Sequence, residues 1–353
     1  MPSNPPIVWI LSQGRHGDLS QMQTLVAALG WPSTEKSLAF RPPAIPALAP
    51  FLFKANASDL LASPWPDLIF CAEAQCSIMA LWLRRKSGGY SKIVCIGRPA
   101  GKPDSFDLVL TTAQYRLRPA ANIAELALPL SQPREYSTDA TLPGRGQRIA
   151  VLIGASSAPD RLDTAAARKL ADDLIRYAAS RGATLTVVTS PRTHADVAKV
   201  LANAMHSPNS FHAYGQPPQD SYRRIIASAD EIVVTSDSVS MAIDALETQK
   251  SVLVYALPQS RGWPFSLAEW VQRHALETEE CPWLLRPLAW LFHRGFVEVS
   301  ADRRKLFDRL VTEGHLQWFG RKSPVRAPQP ESPYKKDLDI ALARVKALFP
   351  ELV

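Results

Sequence analysis

The chain has 353 residues, 46% of them hydrophobic and 21% charged, and this composition excludes a wholly disordered protein. Its length fits two ordinary domains better than one. The formal net charge of +7 indicates an anionic binding partner, which could be a diphosphate, an anionic membrane surface or a nucleic acid. The four cysteines have neither metal-ligand spacing nor the density of a disulfide framework.

The N-terminal residues carry no basic region followed by an apolar stretch, so we expect no secretory signal. No window reaches ~18 uninterrupted apolar residues, so we expect no transmembrane helix either. The sequence therefore predicts a cytoplasmic protein. Any membrane link would be peripheral, on the inner face of the cytoplasmic membrane.

The first half of the chain alternates short apolar strands with helices. Strands of this kind indicate a parallel sheet that is covered on both faces. The predicted strands are residues 7–11, 67–71, 93–96 and 108–111, and the predicted helices are residues 19–29 and 77–85.

A second alternating set follows a polar stretch that contains Pro and Gly. The predicted strands are residues 148–153, 184–189, 231–235 and 251–255, and the predicted helices are residues 164–181, 195–204, 222–229, 241–247 and 337–348. We therefore predict an α/β protein with two doubly wound, Rossmann-like domains facing a cleft. The expected division is a domain at 1–134, a linker at 135–147, a domain at 148–320, and a Pro-rich tail with a closing helix at 321–353.

The strongest local pattern is a buried strand that ends in hydroxyl residues and then opens a helix. Unpaired N–H groups and the helix dipole at such a point favour a phosphate, and a carboxylate one turn further could hold a ribose diol. An ordinarily capped crossover helix with a surface carboxylate explains the same pattern. The candidate nucleotide ligands here are Ser236, Asp237, Ser238, Ser240, Met241 and Asp244.

Two further loops follow predicted strands and could approach the same ligand. Gly154 and Ser156 belong to a small-residue loop, which lets a ligand come close to the backbone. Ser190 and Arg192 follow the next strand, and an arginine can bind a diphosphate in bidentate fashion. A plain tight turn and a solvated arginine are equally good explanations.

The loop after the first strand contains Gly14, His16, Gly17, Asp18 and Gln21. Its glycines let the chain turn closely past a substrate. Asp18 could accept a proton from an attacking hydroxyl as a general base, and His16 is the rival base. Asp18 could also simply cap the following helix, and the two roles are compatible.

Two stretches interleave aromatic residues with cations, at 39–54 and 282–296. This composition is typical of a surface that sits on anionic lipid, although half-buried core loops explain it nearly as well. Nucleic-acid binding is disfavoured because the basic residues are scattered and no binding motif appears.

Taken together, these stretches resemble a family of bacterial proteins of the glycosyltransferase type that includes the plant mitochondrial-fission (elongated mitochondria) protein. Residues 234–241, Val-Thr-Ser-Asp-Ser-Val-Ser-Met, look like the family's VTxDSxSM run, and residues 189–193 are similar to its TSRRT. The resemblance implies a GT-B fold with the donor in the C-terminal domain and no metal. The chain departs from the pattern in having Gly154-Ala155 for Gly-Gly and Asp244 for Glu.

The residues and the resemblance together predict metal-independent transfer of a sugar from a nucleotide diphosphate to a cell-envelope acceptor, lipid-linked or of the lipopolysaccharide type. No cofactor is expected beyond the nucleotide-sugar substrate. The alternative is a non-catalytic, membrane-associated adaptor on the same scaffold. A nucleotide-sugar epimerase or dehydrogenase is disfavoured because no Gly-rich dinucleotide fingerprint follows the first strand.

Overall fold

A computed structural model describes residues 5–42, 45–54, 59–72, 74–130, 146–216, 221–260, 263–278, 281–297, 301–321 and 333–350. The linker expected at 135–147 lies outside these residues except for its last two. The chain divides into two units, each described by itself. Unit 1 comprises Met1–Gln132, Trp263–Asp302 and Pro333–Val353, and unit 2 comprises Pro133–Gly262 and Arg303–Ser332.

The sheet of unit 1 is built from the first third of the chain. Its strands are β1 (Val8–Ser12), β2 (Ser33–Ser37), β3 (Leu68–Cys71), β4 (Lys92–Ile96), β5 (Leu108–Thr112) and β6 (Ile123–Leu126). They are all parallel, in the order β2-β1-β3-β4-β5-β6. The helices of this stretch are α1 (His16–Leu29), α2 (Ala49–Leu52) and α3 (Ala74–Lys86). Apolar clusters fill both faces of the sheet, as a covered parallel sheet requires.

Unit 2 repeats this design. Its first elements are β7 (Arg148–Ile153), α4 (Thr164–Ala179), β8 (Thr184–Thr189), α5 (Ala195–Ala204), β9 (Ser210–His212), α6 (Ser221–Ser228), β10 (Glu231–Thr235), α7 (Val239–Leu246) and β11 (Ser251–Tyr255). A core cluster joins α4 and α5 to β7, β8, β10 and β11. Every residue of β10 is buried, so this strand has apolar neighbours on both faces.

The chain after residue 262 supplies both units. Helices α8 (Trp263–Ala275) and α9 (Arg286–His293) belong to unit 1, α10 (Arg303–Thr312) and β12 (Gln317–Trp318) to unit 2, and α11 (Pro333–Lys346) to unit 1. With β12 the parallel sheet of unit 2 has the order β12-β11-β10-β7-β8-β9. The expected α/β class with two doubly wound parallel sheets is therefore confirmed.

The division of the chain differs from the expected boundaries, because residues 263–302 group with unit 1 and not with the domain at 148–320. Arg116 explains the difference, since its guanidinium pairs with Glu269, Glu277 and Asp302. The closing helix α11 is joined to the same unit by Asp337, whose carboxylate accepts the backbone N–H groups after β6.

Two local expectations need correction. Helix α1 begins at His16 and not at residue 19, because the Leu19 N–H already donates to the Arg15 carbonyl at 3.0 Å. Strands β2, β6, β9 and β12 were not predicted. All four are edge strands of their sheets. Strand β2 consists of the polar run Ser-Thr-Glu-Lys-Ser, which has no apolar pattern that would indicate a strand.

Candidate functional site

Three loops of unit 2 meet at the carboxyl edge of its sheet, because β10, β7 and β8 are neighbouring parallel strands. Gly154 follows β7, Ser190 follows β8 and Ser236 follows β10. Open α/β sheets bind their ligands at this edge. The structure thus brings together candidates that stand far apart in the sequence.

Asp237 braces the loop that follows β7. Its side chain is 4% exposed, and its Oδ2 accepts a hydrogen bond of 2.6 Å from the Ala155 N–H. A Cβ atom at residue 154 would lie 2.0 Å from that oxygen, so a side chain there would displace the carboxylate. Burial raises the pKa of Asp237, and the hydrogen bond from Ala155 opposes the rise. Asp237, expected as a nucleotide ligand, thus holds the Gly154 loop.

Hydroxyl groups fix both backbone polar groups of Gly154. Its carbonyl accepts hydrogen bonds from Thr193 Oγ1 at 2.5 Å and from Ser190 Oγ at 3.3 Å. Its N–H donates to Thr235 Oγ1 at 2.9 Å. Arg192 lies in the same loop as Ser190 and is exposed, where its guanidinium can meet a ligand from solvent.

Helix α7 begins directly after this edge, and the side chain of its N-cap residue does not cap it. Ser238 occupies the N-cap position, but its side chain makes no hydrogen bond to the helix. Ser240 is exposed in the first turn. The first N–H groups of a helix have no intrahelical acceptor, and the helix dipole adds positive potential. This N-terminus can therefore accept an anion.

Three other candidates of this edge make structural contacts. Ser236 Oγ accepts the Leu257 N–H at 3.0 Å. Ser156 Oγ accepts the Leu162 N–H at 2.8 Å and donates to the carbonyl of the same residue at 3.1 Å. Met241 is buried in α7. These contacts shape the loops from within.

Asp244 is buried in α7, with 9% of its surface exposed. Its Oδ2 accepts a hydrogen bond of 2.9 Å from the hydroxyl of Tyr222, which lies in α6. The surface carboxylate that we weighed as an alternative is therefore not what the structure has. Sequence reasoning singled out neither Tyr222 nor the hydroxyls of Thr193 and Thr235. The two threonines stand inside the quoted motifs, whereas no spacing signals Tyr222.

In unit 1 the glycine loop after β1 is held by local hydrogen bonds. Gly14 has a φ of 82°, a left-handed conformation that favours glycine, and its N–H donates to Ser12 Oγ at 2.8 Å. Gln21 Nε2 donates to the Gly17 carbonyl at 3.3 Å, and its Oε1 accepts the Leu130 N–H at 3.1 Å. Gln21 thereby ties α1 to the chain after β6. The side chain of His16 lies outside the described residues.

Asp18 lies in the first turn of α1 and lines a cavity of about 530 Å³ within unit 1. The N-cap residue of α1 is Arg15, so Asp18 is not the cap of its helix. Burial raises the pKa of Asp18, and the nearby Arg15 opposes this rise. A raised pKa brings a carboxylate closer to the pH at which a general base works best.

The two aromatic stretches expected at a membrane surface contact each other in unit 1. The Ala47 N–H donates to the Gly295 carbonyl at 3.0 Å. Their aromatic side chains divide into two groups. Phe40, Phe53 and Phe292 pack against apolar clusters, whereas Phe51, Trp283, Trp290 and Phe296 are exposed.

The described part of the chain contains neither a membrane-spanning helix nor a cluster of metal-binding side chains. No helix there has the length and apolar character that crossing a membrane requires. No group of three or more His, Cys, Asp or Glu side chains there is arranged to hold a metal ion.

Solved structures share this fold. A Listeria monocytogenes protein to which UDP-N-acetylglucosamine 2-epimerase activity is assigned is 12% identical, over 99% of this chain and 98% of that one, with a TM-score of 0.51. The glycotransferase of kitacinnamycin is also 12% identical, over 98% and 96%, with a TM-score of 0.49. No curated protein sequence matches the chain.

The two parallel, doubly wound sheets and the likeness to the Listeria structure define a protein of the GT-B fold class. The family model described as Mitochondrial fission ELM1 matches residues 16–269, which is well over half of the chain. The chain therefore belongs to the mitochondrial fission ELM1 family, as the motifs indicated.

Proposed function

We propose that the chain is a glycosyltransferase that binds a nucleotide-sugar donor at the carboxyl edge of the unit 2 sheet. The observation that carries this proposal is that the N-cap side chain does not cap the N-terminus of α7, beside a Gly154 loop that Thr235 and Asp237 hold by hydrogen bonds. Transfer of a sugar leaves a nucleoside diphosphate, whose developing charge needs fixed donors. Helix N–H groups supply such donors without reorganisation during the reaction.

We assign the remaining candidate residues to binding the ribose and the phosphates of the donor and to deprotonating the acceptor. Asp244 is placed one turn into α7, where it would hold the ribose diol of the donor. Arg192, exposed after β8, would pair with a phosphate oxygen. In unit 1, Asp18 would accept the proton of the acceptor hydroxyl, and its pKa, which burial raises, suits that role.

The acceptor we propose is a cell-envelope molecule, lipid-linked or of the lipopolysaccharide type. The exposed aromatic residues of unit 1 support this choice. Arg294 lies over the ring of Trp290, 5.5 Å from its centroid, and Trp290 stacks on Phe296. Aromatic rings beside cations suit the boundary between lipid headgroups and acyl chains.

The test is to titrate the purified chain with the diphosphates of uridine, adenosine and guanosine and with the corresponding nucleotide sugars. Binding is measured by calorimetry and by thermal shift. Uridine nucleotides come first because the Listeria protein of the same fold is assigned a UDP-sugar. At ~100-fold excess over the dissociation constant, a specific ligand stabilises the fold by about 2.7 kcal/mol. Absence of binding across this panel would contradict the donor proposal.

Two matched variants separate a ligand role of Asp244 from a structural one. Asp244→Asn removes the charge that would hold the ribose and should weaken nucleotide binding at least about tenfold. Tyr222→Phe removes the hydrogen bond to Asp244 but keeps the carboxylate, so it should weaken binding much less. Equal affinity in all three proteins would reduce Asp244 to a packing residue.

Turnover tests the catalytic half of the proposal. Asp18→Asn should keep nucleotide affinity and reduce sugar transfer by about 10²–10⁴-fold, as loss of a general base does. Conversion of the sugar nucleotide into an epimer, without transfer, would instead identify a different reaction.

A non-catalytic adaptor is the second candidate. Membership of the mitochondrial fission ELM1 family and the exposed aromatic residues of unit 1 favour it. An adaptor requires no nucleotide. Membrane binding without binding of any nucleotide or nucleotide sugar of the panel would therefore support this second candidate.

A further inference from the structure

Several basic side chains line the cavity of unit 1 to which Asp18 belongs. Its volume of about 530 Å³ falls within the range of small-molecule sites. It is formed by the chain after β1 and β4, the loop after β5 and the segment that contains α8 and α9. Its basic lining residues are Arg15, Arg98, Arg116, Arg118 and His293, against the acidic residues Asp18 and Asp104.

Part of this positive charge is already neutralised. Arg116 pairs with Glu269 at 3.2 Å and Glu277 at 3.7 Å, and also with Asp302. Arg118 Nη1 donates to the Thr278 carbonyl at 2.8 Å. These two arginines hold the segment that forms one wall of the cavity.

Arg98 is different. Its Nη1 donates to the Tyr115 carbonyl at 2.7 Å, a neutral acceptor. Within the described ranges, no carboxylate lies at ion-pair distance from its guanidinium. Burial lowers the pKa of Arg98 to about 10 and the charge of Glu277 opposes this fall, so Arg98 remains a cation at neutral pH. A partly buried cation that has no carboxylate in direct contact and only the more distant charge of Glu277 is costly, and an anion in the cavity would offset that cost.

Two neighbouring groups, His293 and Tyr115, are uncharged at neutral pH. Burial and the charges of Lys102 and Arg98 lower the pKa of His293, and Asp104 opposes them. Burial raises the pKa of Tyr115 to about 12, so its hydroxyl stays protonated and can donate a hydrogen bond. The cavity therefore offers guanidinium forks and neutral donors together.

We propose that this cavity binds a phosphate or pyrophosphate group of the acceptor, with Arg98 and Arg15 as its ligands. Several cations around one cavity favour a multivalent anion over a single carboxylate, and the arginine fork matches phosphate oxygens. The cavity is larger than a phosphate, which leaves room for the group that carries it. That the bound anion belongs to an acceptor rests on the proposed glycosyltransferase function, whereas the existence of the anion site does not.

An anion at Arg98 would also act on Asp18 in the same cavity. Negative charge nearby disfavours the ionised carboxylate and so raises its pKa further. A phosphorylated acceptor would then strengthen the base that accepts the proton of its hydroxyl.

Calorimetric titration of the full chain with inorganic pyrophosphate tests the site. Wild type should bind, and affinity should fall as ionic strength rises. Arg98→Met should weaken binding at least about tenfold, the worth of one hydrogen bond to a charged group. Arg85→Met, which removes an exposed arginine of α3 outside the cavity, should leave affinity unchanged.

Arg15→Met keeps the test decisive if Arg98→Met fails to fold, because Arg15 is exposed and carries no core packing. It should also weaken pyrophosphate binding. Absence of pyrophosphate binding to wild type, or equal affinity in wild type and both cavity variants, would overturn the proposal.

A parallel titration with UDP separates this inference from the proposed function. Arg98→Met should lower pyrophosphate affinity much more than UDP affinity, because the proposed donor site, which would also contact the nucleoside, lies in unit 2. Pyrophosphate binding that depends on Arg98, without any nucleotide binding, would support the anion site and remove the donor site. In addition, pyrophosphate should raise the pKa of His293 in NMR titrations, with the signal assigned by His293→Asn.

Discussion

Asp237 shows how a single buried carboxylate can organise a loop at the carboxyl edge of a sheet. Its Oδ2 takes the space that a Cβ of residue 154 would fill, and it accepts the next N–H along the chain. The hydrogen bond offsets part of the desolvation that raises its pKa. The Asp237 carboxylate therefore holds the backbone at Gly154 in place.

Gly154→Ala tests this arrangement. The added methyl would meet the Asp237 carboxylate, and overpacking of this kind costs about 1–3 kcal/mol of unfolding free energy. Urea unfolding followed by fluorescence measures the change.

The matched control is Gly17→Ala in α1, where an added Cβ has no atom within 4 Å. That variant should be neutral or slightly stabilising, since alanine favours a helix over glycine. Combining Gly154→Ala with Asp237→Ala should give a non-additive effect, because the second change removes the clash of the first. Additive effects would show that the two residues do not interact.

At this scale the sequence indicated three loops that the structure brings to one edge of a sheet, but not which contacts each side chain makes. Ser236 and Ser240 look alike in a motif, yet Ser236 accepts a backbone N–H while Ser240 is exposed. A hydroxyl that serves a ligand and one that serves the backbone have the same chemistry. Only the positions of neighbouring strands distinguish them, and local sequence does not contain those positions.

At the scale of elements, Arg116 determines to which unit helices α8 and α9 belong. Its side chain is 8% exposed and meets three carboxylates of the segment 263–302. The Asp302 N–H also donates to the Gln114 carbonyl at 2.8 Å. A segment far away in sequence is thus fastened to the loop after β5.

Arg116→Met should destabilise unit 1 by about 3 kcal/mol, because it removes the cation that three partly buried carboxylates share. Hydrogen exchange should rise in α8 and α9 more than in the strands. Arg273→Met is the control, since Arg273 pairs with the same Glu269 but is 52% exposed. An exposed pair is worth only about 0–1 kcal/mol. Similar losses in both variants would argue against the fastening role.

The contact of residues 263–302 with unit 1 could not be predicted from the sequence. Buried strands such as β1, β7 and β10 were found because their apolar runs are local signals. The ion pairs of Arg116 join residues more than 150 positions apart, and charge alone does not specify partners. Edge strand β2 was missed because its exposed residues carry no apolar pattern.

At the scale of the whole molecule, a net charge of +7 accompanies exposed aromatic residues on two stretches that contact each other in unit 1. Phe51 is 83% exposed and Trp283 is 73% exposed. Each stretch taken singly could be explained as a core loop. Their contact, and the cation of Arg294 over Trp290, give the combination that anionic lipid surfaces attract.

We therefore expect the chain to sediment with vesicles that contain phosphatidylglycerol and much less with vesicles of phosphatidylcholine alone. Binding should weaken with salt, because attraction of basic residues to an anionic surface is screened within about 10 Å at 0.1 M. Replacing both Trp283 and Trp290 by serine should reduce the bound fraction at least about tenfold, since each indole contributes apolar burial at the interface. Tyr214→Ser removes an exposed aromatic residue of unit 2 and should change nothing. Undiminished sedimentation of the tryptophan variant would show that charge alone brings the chain to the vesicle, and these aromatic residues would then have no part in membrane contact.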